Sequence, residues 1–199
     1  MTSSNSVHIT FFEQSIGCDS CLPTRRALEA IVRDNPGVTL EVLNLVLDRE
    51  QAAELGVDRV PAVIVSSAAG NRIRYYGAPI GNELPTLHQA IRMVATGETG
   101  LGEESRAQLK TLSRPVTLQV FFTPTCVYCP QMIALANKAA VESPLVTSVA
   151  IDATEFPDLV RRYNVNGVPK TIINETVEIM GAAPEYDFVA AIANAADGD

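Results

Sequence analysis

The chain has 199 residues and a formal net charge of −8, with 47% hydrophobic and 19% charged residues. This composition is typical of a globular protein and excludes an intrinsically disordered chain. The 15 Lys and Arg residues are scattered, which argues against a nucleic-acid partner, because phosphate contacts need clustered basic side chains.

The sequence shows no targeting segment. Met1–Ser6 is polar without basic residues, and no apolar signal segment follows it. Apolar runs such as Ala62–Val65 are too short to span a bilayer, so no membrane partner is expected. We therefore expect a cytoplasmic protein, in which disulfides are usually transient and catalytic.

The predicted elements alternate between strands and helices. The first half contains a strand at Val7–Phe12, a helix at Leu22–Arg33, a strand at Val38–Val46, a helix at Arg49–Leu55, strands at Ala62–Ser66 and Asn71–Tyr76 joined by a turn at Ala69-Gly70, and a helix capped by Asn82 that ends near Ala95. After a linker at Thr96–Gly102, the second half contains a helix at Glu103–Ser113, a strand at Val116–Phe122, a helix from Cys129 to about Glu142, a strand at Val146–Ile151, a helix at Phe156–Tyr163, a hairpin of Thr171–Ile173 and Val177–Met180, and a helix at Pro184–Ala195.

One group of residues occurs twice in the chain. Cys18-Asp19-Ser20-Cys21 is matched by Cys126-Val127-Tyr128-Cys129, and Val60-Pro61 is matched by Val168-Pro169, each at an offset of 108 residues. The proline lies 40 residues after the second cysteine in both halves. The repeat predicts two domains, at residues 1–97 and 98–199, each long enough to form its own core.

Each Cys-x-x-Cys lies between a strand and a helix. This position puts the first sulfur at the helix N-terminus, where unpaired N–H groups and the helix dipole stabilise a thiolate. The second sulfur lies within one helical turn and closes the disulfide. We therefore assign Cys126 as the attacking and Cys129 as the resolving cysteine, with Cys18 and Cys21 as a second redox pair.

Other interpretations of the cysteines remain open at this point. All four could bind a metal or an iron–sulfur cluster, which would require the two pairs to converge on one site. The pairs could be structural disulfides, or the chain could be a module that binds client proteins and exchanges disulfides only incidentally. Neither His8 nor His88 lies near a cysteine in the sequence, so no histidine ligand is predicted.

The repeated Val-Pro is predicted to contain a cis-proline in each half. A cis X-Pro bond is rare, and this one comes just before a strand at a fixed distance from each cysteine pair. Pro61 and Pro169 would then lie beside the sulfurs, and the backbone of Val60 and Val168 would pair with an extended substrate. The alternative is an ordinary trans proline that enters a strand.

The charges around the two pairs differ. Asp19 and Asp58 lie near the first pair in sequence and would oppose its thiolate, whereas Lys170 follows the second proline and would favour one. We therefore expect the first pair to be less reactive than the second. The alternative is that these charges point into solvent and leave the two sites alike.

The second half resembles a known family through Phe121–Pro130, Glu155-Phe156-Pro157, Tyr163-Asn164-Val165 and Val168-Pro169-Lys170. These segments are similar to the second half of the protein disulfide oxidoreductases of thermophilic archaea and bacteria. The N-terminal domain of the alkyl hydroperoxide reductase flavoprotein subunit has a similar tandem plan. One departure from thioredoxins is that the strand at Val116–Phe122 contains no acid, so no proton acceptor for Cys129 is identified.

The resemblance implies an α/β fold of two tandem thioredoxin-like domains, each with a central mixed β-sheet flanked by helices. It implies thiol–disulfide exchange with protein substrates, with electrons supplied by a thioredoxin-reductase-like flavoprotein. The chemistry uses only the cysteine thiols, so no cofactor is expected.

Overall fold

The computed structural model describes residues 6–68 and 70–198, so the polar residues Met1–Asn5 and the Ala69 side of the predicted turn lie outside the described residues. Within these ranges the strands are β1 Val7–Glu13, β2 Val38–Asn44, β3 Ala62–Ser67, β4 Gly70–Tyr76, β5 Val116–Phe122, β6 Val146–Asp152, β7 Lys170–Ile173 and β8 Val177–Met180. The helices are α1 Cys21–Asp34, α2 Arg49–Glu54, α3 Leu84–Thr96, α4 Glu103–Lys110, α5 Cys129–Glu142, α6 Pro157–Arg162 and α7 Glu185–Asp197, with a 3-10 turn at Gly81–Glu83. No helix in these ranges is long and apolar enough to cross a membrane.

The predicted strands and helices are confirmed, and most differences concern their ends. The helix α4 ends at Lys110 instead of Ser113, because the chain approaches Pro115, and the residue before a proline disfavours the helical conformation. The prediction that Asn82 caps α3 was wrong. Asn82 lies inside the 3-10 turn, and α3 begins at Leu84 with Pro85 in its first turn, where a missing N–H costs no hydrogen bond.

The eight strands form one sheet in the order β2-β1-β3-β4-β6-β5-β7-β8. Each half supplies a mixed four-stranded sheet, as the fold prediction required. The two sheets join edge to edge through the parallel pair β4 and β6, which runs from Ile73↔Ser148 to Tyr76↔Ile151. The sequence did not predict this joint, and the domain boundary between residues 97 and 98 stays a prediction.

Strand direction places the two cysteine pairs at the same edge of the sheet. The strand β1 is antiparallel to β3, and β3 is antiparallel to β4, so β1 and β4 run in the same direction. Because β4, β6 and β5 are mutually parallel, β5 also runs in that direction. Each Cys-x-x-Cys follows the carboxyl end of β1 or β5, so both pairs lie at one edge.

Two apolar layers cover the two faces of the sheet. Consecutive strand residues point to opposite faces, so Phe11 and Phe122 enter the layer under α1, α3, α5 and α7, while Phe12 and Phe121 enter the layer under α2 and α6. All four rings are 0% exposed, which confirms their prediction as core residues. Burying an aromatic ring of this kind contributes about 2 to 3 kcal/mol, so each strand is anchored on both faces.

A buried polar network crosses the joint between the halves. The Tyr75 hydroxyl in β4 receives a hydrogen bond from Asn137 Nδ2 in α5 at 2.9 Å and lies 3.3 Å from Thr86 Oγ1 in α3. Ser148 Oγ in β6 donates to Asn137 Oδ1 at 2.8 Å. Burial raises the pKa of Tyr75, so its hydroxyl stays protonated and keeps this connection between the halves.

A glycine at the joint tests how closely the halves pack. Gly77 has φ of +96°, donates its N–H to Pro61 O at 3.0 Å, and a Cβ on it would overlap with Asp152 Cβ of the second half. Gly77→Ala should therefore lower the free energy of unfolding by about 3 kcal/mol in urea titrations. Gly97→Ala is the matched control, because Gly97 has φ of +73° but nothing within 4 Å of its Cβ position, and it should cost about 1 kcal/mol. Equal costs for the two variants would contradict the close packing.

Candidate active site

The first cysteine pair lies where β1 passes into α1. Cys18 is half-buried in the loop, and Cys21 is the first residue of the helix and only 4% exposed. The two form a disulfide with a Cα–Cα distance of 5.4 Å. The structure therefore places the first pair at a helix N-terminus, with the accessible sulfur on the N-terminal cysteine.

The second pair repeats this arrangement at the start of α5. Cys126 is half-buried, Cys129 is 0% exposed, and their disulfide has a Cα–Cα distance of 5.5 Å. The Val127 and Tyr128 side chains between them are 78% and 66% exposed. These exposed apolar side chains present the second pair on a surface that a polypeptide can contact.

The two accessible sulfurs differ in their hydrogen bonds. The Cys129 N–H donates to Cys126 Sγ at 3.1 Å, which is the contact that stabilises a thiolate. In the first pair the Cys21 N–H donates to the Cys18 carbonyl oxygen at 3.3 Å instead. Ser20 Oγ lies near Cys18 Sγ, at 3.9 Å. The first turn of each helix is therefore used differently.

Both Val-Pro peptide bonds are cis, as predicted. Ala62 pairs with Phe12 and Lys170 pairs with Phe121, so each proline lies beside the strand end that leads to its cysteine pair. The Pro61 carbonyl accepts from the Gly77 N–H at 3.0 Å, and the Pro169 carbonyl accepts from the Gly181 N–H at 2.8 Å. The same backbone contact thus fixes the proline in each half.

The valines before these prolines keep their backbone available. Within residues 6–68 and 70–198, the main-chain groups of Val60 and Val168 make no hydrogen bond. Val60 lines the same cavity as Cys18, which places this backbone beside the first pair. An extended segment could pair with it as an added strand does.

The cavity at the first pair is shared between the two halves. It has a volume of about 380 Å³. The first half supplies Cys18 and Val60, and the second half supplies Pro124, Thr154 and Glu155 to its wall. Access to the first pair therefore depends on both halves.

Two charges that the sequence placed near the sulfurs are used elsewhere. Lys170 is 3% exposed; its Nζ pairs with Glu178 Oε2 at 2.9 Å and donates to the Tyr163 carbonyl at 2.7 Å. Asp58 pairs with Arg59 at 2.9 Å, and the hydrogen bond from that guanidinium lowers the pKa of Asp58. Both predictions were wrong, because each charge is neutralised by an oppositely charged neighbour.

A single metal site built from the cysteines is not what the structure presents. The four sulfurs form two separate disulfides. In the described ranges no group of three or more His, Cys, Asp and Glu side chains is placed to hold a metal ion. His8 contacts Thr39 at 2.9 Å and Glu41 at 3.4 Å on the surface of β1 and β2.

A buried carboxyl at the joint was missed by sequence analysis. Glu83 is 0% exposed, and its Oε1 has no hydrogen-bond partner among the described residues. Burial raises the pKa of Glu83 to about 7, the Thr86 hydroxyl opposes this, and the charge of Asp152 raises the pKa further. A carboxyl that titrates near neutrality can accept or supply a proton. Nothing in the local sequence marks it, because its burial comes from contact between the halves.

Two further residues of the site were also missed. Ser20 Oγ donates a hydrogen bond to Glu155 Oε2, which brings the second half into contact with the first cysteine pair. Ser20 lies within a motif that the sequence analysis identified, but its partner is 135 residues away. Only the three-dimensional fold reveals this contact.

Comparison with known proteins agrees with the geometry. The family described as "Thioredoxin domain" matches residues 116–194. The protein disulfide oxidoreductase of Aeropyrum pernix k1 is 30% identical, with 98% of this chain and 88% of that chain covered and a TM-score of 0.88. This chain belongs to the protein disulfide oxidoreductase family. It is accordingly a thioredoxin-fold disulfide oxidoreductase with two cysteine pairs at disulfide distance.

Relatives of a second kind share the tandem plan of these oxidoreductases. The "NTD_N/C domain" of alkylhydroperoxide reductase AhpF from Enterococcus faecalis (V583) covers 96% of this chain and 92% of that chain at 22% identity, with a TM-score of 0.87, which shows the fold. The corresponding alkyl hydroperoxide reductase protein of Pseudomonas putida is 30% identical over 105 residues, which are 53% of this chain and 20% of that protein. The chain thus spans about a fifth to a quarter of the length of such curated relatives.

The raised pKa of Glu83 predicts a pH-dependent stability. Between its unfolded pKa of 4.5 and its folded pKa of about 7, the folded protein holds a proton that the unfolded chain has lost. The stabilisation is therefore complete below this window and is lost as pH rises through it, by roughly 3 kcal/mol in total. Glu83→Gln should remove this loss, so its unfolding free energy gains on the wild type as pH rises.

Urea titrations at pH values below, within and above this window measure the effect. Glu54→Gln is the control, because it removes a carboxyl on the exposed surface of α2. If Glu83→Gln and Glu54→Gln follow the same pH dependence as the wild type, Glu83 does not titrate as described.

Proposed function

We propose that this protein exchanges its dithiols with disulfide bonds in protein substrates, and that the Cys126–Cys129 pair carries the main activity. The observation that carries the proposal is the arrangement of that pair. Cys126 is accessible and receives an N–H from the helix, while Cys129 is buried behind it at the disulfide distance. This arrangement suits one attacking and one resolving sulfur.

In the reductive direction the Cys126 thiolate attacks one sulfur of a substrate disulfide. A mixed disulfide forms between Cys126 and the substrate, and the other substrate sulfur leaves as a thiolate and takes a proton. Cys129, after losing its proton, attacks Cys126 Sγ and releases the second substrate thiolate. Two electrons pass from the dithiol to the substrate, and the Cys126–Cys129 disulfide remains.

The backbone before each cis-proline is proposed as the place where the substrate binds. The free N–H and C=O of Val168 would pair with an extended polypeptide on the side of the cysteines, with Pro169 holding that backbone in place. Val60 and Pro61 have the same role at the first pair. This binding mode selects polypeptides over small thiols, since it uses main-chain groups that every extended segment offers.

The Cys18–Cys21 pair is proposed as a second, slower redox couple. Its accessible sulfur lacks the helix N–H that Cys126 receives, and a serine hydroxyl lies near it instead. A thioredoxin-reductase-like flavoprotein is the proposed electron donor that returns the disulfides to dithiols.

Reduction of insulin tests the main assignment. In the presence of dithiothreitol the wild-type protein should accelerate precipitation of the insulin B chain above the rate with dithiothreitol alone. The Cys126→Ser/Cys129→Ser variant should keep less than about a tenth of this acceleration, because it lacks the attacking thiolate. Cys18→Ser/Cys21→Ser is the matched control and should keep more than about half. Undiminished activity without the second pair would overturn the assignment.

The two accessible cysteines should ionise at different pH. We expect Cys126 in the Cys18→Ser/Cys21→Ser protein to become a thiolate at a lower pH than Cys18 in the Cys126→Ser/Cys129→Ser protein, because hydrogen bonds to the charged form favour it. The difference should be about one pH unit, read from thiolate ultraviolet absorbance of the reduced proteins. A lower ionisation pH for Cys18 would reverse the ranking.

A further inference from the structure

A carboxylate of the second half is held beside the first cysteine pair. Glu155 follows β6, and its Oε2 accepts a hydrogen bond from the Ser20 hydroxyl. Its Oε1 accepts from the Ala78 N–H at 3.0 Å. Both donors belong to the first half, so two hydrogen bonds fix the orientation of this carboxylate across the joint.

Ser20 connects this carboxylate to the reactive sulfur. It lies between the two cysteines of the first pair, with Oγ 3.9 Å from Cys18 Sγ. A serine hydroxyl has one proton, and here that proton is donated to Glu155. The oxygen therefore presents only lone pairs to Cys18, and it cannot donate to a Cys18 thiolate.

The cavity in front of Cys18 is lined by acids. Asp19, Asp152 and Glu155 contribute to its wall, and no Lys, Arg or His is among its described lining residues. Asp152 is 2% exposed, and its Oδ1 accepts from the Thr154 N–H and hydroxyl at 2.9 and 2.7 Å. Glu155 is thus the carboxylate of the second half that is tied directly to the cysteine motif.

The repeat shows that this feature belongs to one site only. At the offset of 108 residues, Glu155 corresponds to Leu47, which is 82% exposed. The repeated sequence therefore offers the second pair no equivalent carboxylate from the first half. The two sites differ in electrostatics as well as in the hydrogen bonds of their sulfurs.

We propose that Glu155 is a positioning residue of the first site, which acts through Ser20 to disfavour the Cys18 thiolate and makes the pair prefer positively charged disulfides to negatively charged ones. This inference rests on the proposed redox role of the Cys18–Cys21 pair and names the substrate charge that the pair selects. A negative charge a few ångströms from a thiolate opposes its formation and repels an incoming anion, while it attracts a cation.

The exchange itself follows the usual balance. The Cys18 thiolate attacks one sulfur of a disulfide, the mixed disulfide forms, and one thiolate leaves and is protonated. Cys21, once deprotonated, attacks Cys18 Sγ and releases the second thiolate. The pair loses two electrons and becomes a disulfide, and the substrate gains both.

The test uses the full chain carrying Cys126→Ser/Cys129→Ser, so that only the first pair reacts. Glu155→Gln removes the charge but keeps the size and an oxygen that can accept from Ser20. Ser20→Ala releases the carboxylate from the motif and provides a second variant. Asp187→Asn is the matched control, because it neutralises an exposed carboxyl of the second half within α7.

Two measurements are made on the reduced proteins. The first is the pH dependence of iodoacetamide alkylation of Cys18, followed by mass spectrometry. The second is the ratio of the exchange rate constants with cystamine, a cationic disulfide, and glutathione disulfide, an anionic one. These probes are small molecules, so the result does not depend on whether proteins are the physiological substrates.

Glu155→Gln should move the alkylation profile to lower pH and lower the cystamine-to-glutathione-disulfide ratio by about fourfold or more. Ser20→Ala should shift both measurements in the same direction, and Asp187→Asn should leave both unchanged. Unchanged profiles and ratios in folded Glu155→Gln and Ser20→Ala proteins would overturn the inference. Failure of the wild type to reduce insulin would instead reject the protein-substrate proposal and leave these measurements valid.

Discussion

The parallel pairing of β4 with β6 is the constraint on which the rest of the structure depends. It joins two four-stranded sheets into one and fixes the direction of all eight strands relative to one another. Because β1 and β5 then run the same way, both cysteine pairs and both cis-prolines lie at one edge. The same joint buries the Tyr75 network and Glu83, and it brings Glu155 to Ser20.

The chemistry of each pair is set by what its helix N-terminus does with its first donors. In both halves the resolving cysteine is the first residue of the helix and is buried. In the second half its N–H is donated to the accessible sulfur, whereas in the first half it is donated to a carbonyl. Two sites built from the same motif thus differ because one peptide N–H has a different acceptor.

The sequence predicted those parts of the site that depend on local pattern and on repetition. Period-two apolar strands, helix-opening cysteines and the spacing to Val60-Pro61 and Val168-Pro169 predicted the elements and the cis-prolines. The effects of Lys170 and Asp58 could not be predicted, because a charge near a motif in sequence acts on it only if no other group neutralises it. Lys170 is held by Glu178 on the neighbouring strand, and Asp58 by the guanidinium of the next residue.

What the sequence could not provide is any contact between the halves, and this decides how far each half can act alone. The motifs repeat within halves, so they carry no information on how one half packs against the other. A first half without the second would expose the whole edge of β4, whose hydrogen-bonding groups would then be open to pairing with other chains. It would also lose Pro124, Thr154 and Glu155 from the wall of the Cys18 cavity. The first redox site is therefore complete only when both halves are present, although all of its cysteines and its proline belong to one of them.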